Sequence, residues 1–103
     1  MTAIAVPAAD ATIWEIADFA LRYDGYGLHG SVEALATIHR RVHRGWKRGS
    51  LPDDLDELRA ALFFVQRASH WNDHFDEPFA RALIEQIRAV SGGTVDGADG
   101  LTV

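Results

Sequence analysis

The most strongly patterned segment of the chain is LDELRAALFFVQRASHW, residues 55–71, and the fold prediction starts from it. Its apolar residues recur at the three- and four-residue spacing of an amphipathic helix. One wide face holds Leu55, Leu58, Ala61, Leu62, Val65, Ala68 and Ser69, with Phe64 and Trp71 extending it. A narrower polar strip holds Arg59, Gln66, Arg67 and His70. Because a face this wide needs neighbours on several sides, the segment is predicted to be the central helix of a bundle.

Two overlapping signals mark the start of this helix. Ser50 with Asp53, and Asp54 with Glu57, both have the spacing of a capping box. Acidic residues in the first turn also suit the positive end of the helix dipole. The sequence leaves both starting points open.

Three further helices are predicted around it. They run from about Ala11 to Tyr23, from Val32 to about Arg44, and from near Asp76 to about residue 91. The expected N-caps are Asp10, Ser31 and Asp76, with Pro78 in the first turn of the last helix, and the expected ends are at Gly25, Gly45 and Gly92. The first of these helices is predicted to be mostly buried.

The fold class predicted from these helices is all-α: a compact four-helix bundle-like domain spanning residues 1–91. No stretch of useful length alternates apolar and polar residues, so no strand is predicted. A chain of 103 residues, 48% of them hydrophobic, can bury one core without cross-links. The glycine-rich residues 92–103 are predicted to form a flexible C-terminal tail.

The composition excludes several classes of site. There is no cysteine, which excludes disulfides, thiolate metal sites and cysteine nucleophiles. The longest unbroken apolar run, residues 60–65, is far shorter than the roughly 20 residues that span a bilayer. The first residues do not resemble a secretory signal, so we expect a cytoplasmic protein with no membrane partner. No serine has an identifiable base and orienting group, and the sequence favours a non-enzymatic role.

Positive charge is concentrated in one short stretch of a chain whose net charge is −5. Residues 40–48 contain no acid and the basic side chains Arg40, Arg41, Arg44, Lys47 and Arg48. On the predicted second helix they lie opposite the apolar residues Val32, Leu35, Ile38, Val42 and Trp46. This segregation predicts a small regulator or inhibitor that binds an acidic protein partner through the basic side. Trp46 is predicted to be the most exposed tryptophan and to serve as an aromatic anchor.

Alternative uses of this basic stretch stay open. It could be a solvated surface, partly neutralised by the acids that open the next helix. Basic and acidic patches could instead pair in a homodimer. Nucleic acid is a less favoured partner, because the acids Asp53, Asp54, Asp56 and Glu57 would be repelled near a duplex.

Two His-x-x-x-His pairs make a metal-binding bundle the second hypothesis. His39 with His43, and His70 with His74, each place two imidazoles on one helix face. Together with Asp73 they could hold a divalent transition metal, and such a site could make the protein an enzyme. We favour the simpler interpretation, in which His39 and His43 pack at the edge of the core and the other pair lies on the surface.

Residues 25–30, GYGLHG, match the letters of the dinucleotide-binding motif G-x-G-x-x-G. That motif binds a dinucleotide only where it follows a strand, and here a predicted helix precedes it. The glycines are therefore expected to turn the chain between the first two helices. A small anion at the start of the second helix stays open as an alternative.

Overall fold

A computed structural model describes residues 3–23, 32–72 and 74–96 of this chain. In chain order the elements are β1 (Ala3–Ala5), α1 (Ile13–Tyr23), α2 (Val32–Lys47), α3 (Leu55–Asn72), α4 (Glu77–Ser91) and β2 (Thr94–Asp96). The predicted all-α, four-helix architecture is confirmed. The central place of α3 is confirmed as well, because it packs against α1, α2 and α4.

The start of α3 follows the second of the two capping signals. The Asp54 Oδ1 atom accepts a hydrogen bond from the backbone N–H of Asp56 at 2.8 Å and a longer one from Glu57 at 3.4 Å. Behind this cap the helix buries Leu58, Ala61, Leu62 and Val65, which form the centre of the core. Asp54 is thus the N-cap that places the central helix.

The polar strip predicted for α3 is partly wrong. Arg59 and Gln66 are buried, with 4% and 7% of their surface exposed, and the Arg59 Nη1 atom lies 3.2 Å from the Asp56 carboxylate. A helix enclosed by three others has little free circumference, so even its polar side is covered. Arg67 remains exposed, as predicted.

The α2 helix continues past the predicted stop at Gly45 and ends at Lys47. Residue 45 has to be glycine because Ser50, in the turn that follows, comes close to it. The Gly45 carbonyl accepts a hydrogen bond from the Ser50 N–H at 2.8 Å. A Cβ atom at position 45 would stand 2.5 Å from the Ser50 carbonyl oxygen. The left-handed residue that ends the helix is Gly49, with a φ of 79°.

The α1 helix is capped by Thr12, and the predicted cap at Asp10 is wrong. Glu15 N–H donates to Thr12 Oγ1 at 3.2 Å, and Thr12 N–H donates to the Glu15 carboxylate at 3.3 Å. This reciprocal pair is a capping box two residues further along the chain. The helix buries Ile16, Phe19 and Ala20.

The last helix begins and ends where the sequence predicts. Asp76 Oδ1 accepts a hydrogen bond from the Phe79 N–H at 3.4 Å, and Pro78 lies in the first turn. Gly92 ends the helix in the left-handed conformation, with a φ of 78°. Within the part of the chain that the structure describes, no helix has both the length and the apolar character needed to cross a bilayer.

Two short strands join the ends of the domain, although no strand is predicted from the sequence. β1 and β2 pair in antiparallel register, with Ala3 opposite Asp96 and Ala5 opposite Thr94. Val95 is buried, and the Val6 N–H donates to the Gly93 carbonyl at 3.0 Å. Within the stretch predicted to be a flexible tail, Gly92 thus ends α4 and residues 94–96 form a strand, while residues 97–103 lie outside the described residues.

Candidate functional site: the basic side of α2

Four exposed basic side chains lie on one side of α2 and of the turn that follows it, and we call them the basic face: Arg40, Arg44, Lys47 and Arg48. At about 100° per residue they fall within roughly a third of the helix circumference. Arg40 Nη2 donates to the Thr37 hydroxyl on the same helix at 3.3 Å. Among the described residues, no acidic side chain forms an ion pair with any member of the basic face.

Arg41, the fifth basic residue of the predicted site, is engaged within the monomer. Its Nε atom donates to Glu57 Oε1 at 3.0 Å, and its Nη2 atom contacts the same oxygen. The pair joins α2 to the first turn of α3. Arg41 thus connects α2, the helix that carries the basic face, to α3. The predicted neutralisation of the basic stretch by the acids of α3 is therefore present at Arg41.

Trp46 is not the exposed anchor that the sequence predicts. Its side chain is half-buried, and its ring centroid lies 5.1 Å from that of Phe79 on α4. Lys47 Nζ lies 5.2 Å from the centroid of the Trp46 ring. Because α2 continues through Gly45, position 46 stays on the same side as Val42 and faces the core. Of the two tryptophans whose side chains the structure describes, Trp14 on α1 is the exposed one, with 77% of its surface accessible.

The two histidines of α2 belong to an aromatic cluster at the edge of the core. Phe79 is fully buried beneath them, with its centroid 5.4 Å from the His39 ring and 4.8 Å from the His43 ring. His39 also lies 4.8 Å from Phe64 of α3. These contacts support the packing interpretation of the His39 and His43 pair.

One acidic group reaches this cluster from the start of α4. Asp76 Oδ2 lies 3.7 Å from His43 Nε2, while its other oxygen caps α4. Burial lowers the pKa of His39 below 6.5, and the neighbouring His43 lowers it further; Asp76 acts in the opposite direction, and Arg40 adds a smaller lowering. His39 is therefore neutral at neutral pH.

A cleft of about 270 Å³ opens beside these rings. It is lined by His39, Arg40, His43 and Arg44, so it combines the outer edge of the aromatic cluster with half of the basic face. The cleft brings together residues that the sequence assigns to two separate hypotheses, the partner surface and the metal site.

The structure describes only some of the residues of the predicted metal site. The described residues include no group of three or more histidine or acidic side chains that could hold a metal ion. His74 is exposed, whereas Asp73 and the side chain of His70 lie outside the described residues. The metal site therefore stays a prediction. The glycine loop, residues 25–30, also lies outside the described residues.

Comparison of the chain with protein-family models, with curated proteins and with solved structures gives no match. Function therefore has to be inferred from the chemistry of the side chains.

Proposed function

We propose that this chain is a non-enzymatic interaction module, a small regulator or inhibitor that binds an acidic protein partner through the basic face of α2. The single observation that carries the proposal is the exposure of Arg40, Arg44, Lys47 and Arg48 without an acidic partner among the described residues. In a chain of net charge −5, such a patch is a local feature that opposes the overall charge. Complementary charge favours specificity and the rate of association.

The support beneath the basic face favours binding without rearrangement. Val42 and Leu35 anchor the opposite side of α2 in the core, and the Arg41–Glu57 pair braces the helix against α3. Three of the four cations are arginines, whose planar forks bind carboxylates through two parallel hydrogen bonds. Because the helix is already held in place, the backbone that carries these side chains loses little conformational entropy when a partner binds.

The test is a matched pair of triple variants. Arg40→Gln, Arg44→Gln and Arg48→Gln together remove three positive charges from the basic face. Ala5→Glu, Ala8→Glu and Ala89→Glu change the net charge by the same amount at exposed positions outside α2. We expect the first variant to bind a labelled polyglutamate peptide at least about tenfold more weakly than wild type, and the control to lose less than about twofold.

Fluorescence anisotropy at two salt concentrations provides the measurement, and circular dichroism checks that both variants remain helical. An equal loss in the two variants would show that net charge, and not the basic face, determines binding. Tighter binding of double-stranded DNA than of polyglutamate at the same salt concentration would instead favour nucleic acid as the partner.

A further inference from the structure

The cleft on α2 collects four nitrogen-bearing side chains within little more than one helical turn. Arg40 and Arg44 form one i,i+4 pair, and His39 and His43 form the neighbouring pair. Each guanidinium offers five N–H donors, and each imidazole offers at least one. None of the residues lining the cleft is a carboxylate. The cleft therefore offers many donors and two permanent positive charges to a ligand that can accept hydrogen bonds.

These donors match a phosphate group better than a single carboxylate. One arginine fork can satisfy one carboxylate, which would leave the second guanidinium of the cleft without a partner. A phosphate monoester carries a charge of about −1.5 to −2 at pH 7 and has three strong acceptor oxygens. Two guanidiniums together with the neighbouring imidazoles meet both the charge and the number of acceptors.

The walls of the cleft are held in place by packing. The His39 and His43 rings lie 5.8 Å apart and stacked, and both rest on the buried Phe79. Arg40 is held to Thr37 through its Nη2 atom. The two imidazoles are thus held in place before a ligand binds, which lowers the conformational entropy lost on binding.

Among the described residues, Asp76 is an acidic group that opposes an anion at this place. Its Oδ2 atom lies 3.7 Å from His43 Nε2. Its charge also faces the N-terminus of α4, where the Phe79 N–H donates to Oδ1 and the helix dipole favours a negative charge. An incoming phosphate would in addition favour the protonated form of His39, because an opposite charge raises the pKa of a histidine.

We propose that this cleft binds the phosphate group of a phosphorylated serine or threonine on the partner protein. The inference rests on the proposed function, since it assigns the group of the acidic partner that enters the cleft. Arg40 and Arg44 donate to the phosphate oxygens, and His39 and His43 supply further N–H donors. Lys47 and Arg48 bind the carboxylates that flank the phosphorylated residue.

The histidine ring signals in NMR spectra report on the cleft directly. The probes are a glutamate-flanked phosphoserine peptide, the same peptide with unmodified serine, and inorganic phosphate, all at constant pH and ionic strength. We expect the phosphopeptide to shift the His39 and His43 signals saturably and to bind at least about tenfold more tightly than the unmodified peptide. Exposed His74 serves as an internal reference that should shift little.

Two double variants with the same loss of charge separate the cleft from the rest of the basic face. Arg40→Gln with Arg44→Gln should abolish the preference for the phosphopeptide. Lys47→Gln with Arg48→Gln should weaken both peptides alike and keep that preference. Circular dichroism confirms that each variant is folded.

The outcomes distinguish this inference from the proposed function. Equal affinity for the two peptides, with both weakened by the triple variant described above, would overturn the phosphate site and leave the proposed function standing. Binding of neither peptide would overturn both. Inorganic phosphate that binds as tightly as the phosphopeptide would assign the cleft to the free ion and overturn a phosphorylated partner.

Discussion

His39 shows how packing and charge compete at a single residue. Its ring is packed against Phe64 and Phe79, which are apolar neighbours that favour the neutral imidazole. Burial is the largest cause of its lowered pKa, and the neighbouring His43 adds to it. The sequence could predict that His39 is a packing residue, because its position lies within the apolar arc of α2. Its nearness to Asp76 could not be predicted, since that depends on where α4 packs.

The lowered pKa of His39 predicts how stability changes with pH. In the unfolded chain the pKa of His39 is the ordinary value of 6.5, whereas in the folded protein the pKa of His39 is lower. The free energy of unfolding should therefore fall as the pH drops below about 6.5, until the folded pKa is passed. His39→Gln should flatten this dependence between about pH 7 and 5.5 in urea denaturation. His74→Gln, at an exposed histidine, should keep the wild-type slope, and an unchanged slope in His39→Gln would contradict the assignment.

At the scale of elements, four helices could be predicted because apolar periodicity is a local property of the sequence. Helix ends are predicted less well where they depend on contacts outside the helix. Gly45 resembles a helix stop, yet its role is the close approach of Ser50 after the chain reverses. The two strands could not be predicted, because three residues are too short to display an alternating pattern.

The close approach at the end of α2 predicts an unusual effect of alanine. Within a helix, alanine is more stable than glycine by about 0.5–1 kcal/mol. Gly45→Ala should instead destabilise the protein by about 1–3 kcal/mol, because the added Cβ would stand 2.5 Å from the Ser50 carbonyl oxygen. Denaturant unfolding measures the change. Ala89→Gly, at an exposed position of α4, measures the contribution of helix propensity alone. A Gly45→Ala protein that is more stable than wild type would refute the close contact with Ser50.

At the scale of the whole molecule, the first and last described segments are tied to each other and to α4. β1 pairs with β2, and Arg88 Nη1 donates to the Val6 carbonyl at 2.9 Å. Arg81 Nη1 donates to the Ala9 carbonyl at 3.2 Å. These contacts cover one part of the core, whereas the basic face lies on α2. The strands β1 and β2 and the helix α4, which make these contacts, are therefore different elements from α2, which carries the surface that we propose for binding.

This separation predicts a substitution that lowers stability without changing binding. Val95 in β2 is 5% exposed, and Val95→Ser should lower the free energy of unfolding by about 1–3 kcal/mol. Thr94→Ser, at the exposed neighbouring position, should change it by less than about 0.5 kcal/mol. The folded Val95→Ser protein should bind polyglutamate as wild type does. A loss of binding in the folded variant would show that the strand pair contributes to the binding surface.

The basic side chains of the candidate site could be predicted from the sequence, but their arrangement could not. The run from Arg40 to Arg48 stands out in any charge plot of this chain. That Arg41 is held by Glu57, and that Trp46 packs on Phe79, depends on how α2 packs against α3 and α4. The half-buried position of Trp46 could not be predicted either, and among the described tryptophan side chains it is Trp14 that is exposed.

The most direct test of the central claim is a map of backbone amide NMR shifts during titration with polyglutamate. If the basic face binds acidic partners, the saturable shifts should be confined to α2 and its C-terminal turn, residues 39–49, and should disappear in the Arg40→Gln, Arg44→Gln, Arg48→Gln variant. Saturable shifts centred on α1 around Trp14, or a full set of α2 shifts in the triple variant, would contradict the account.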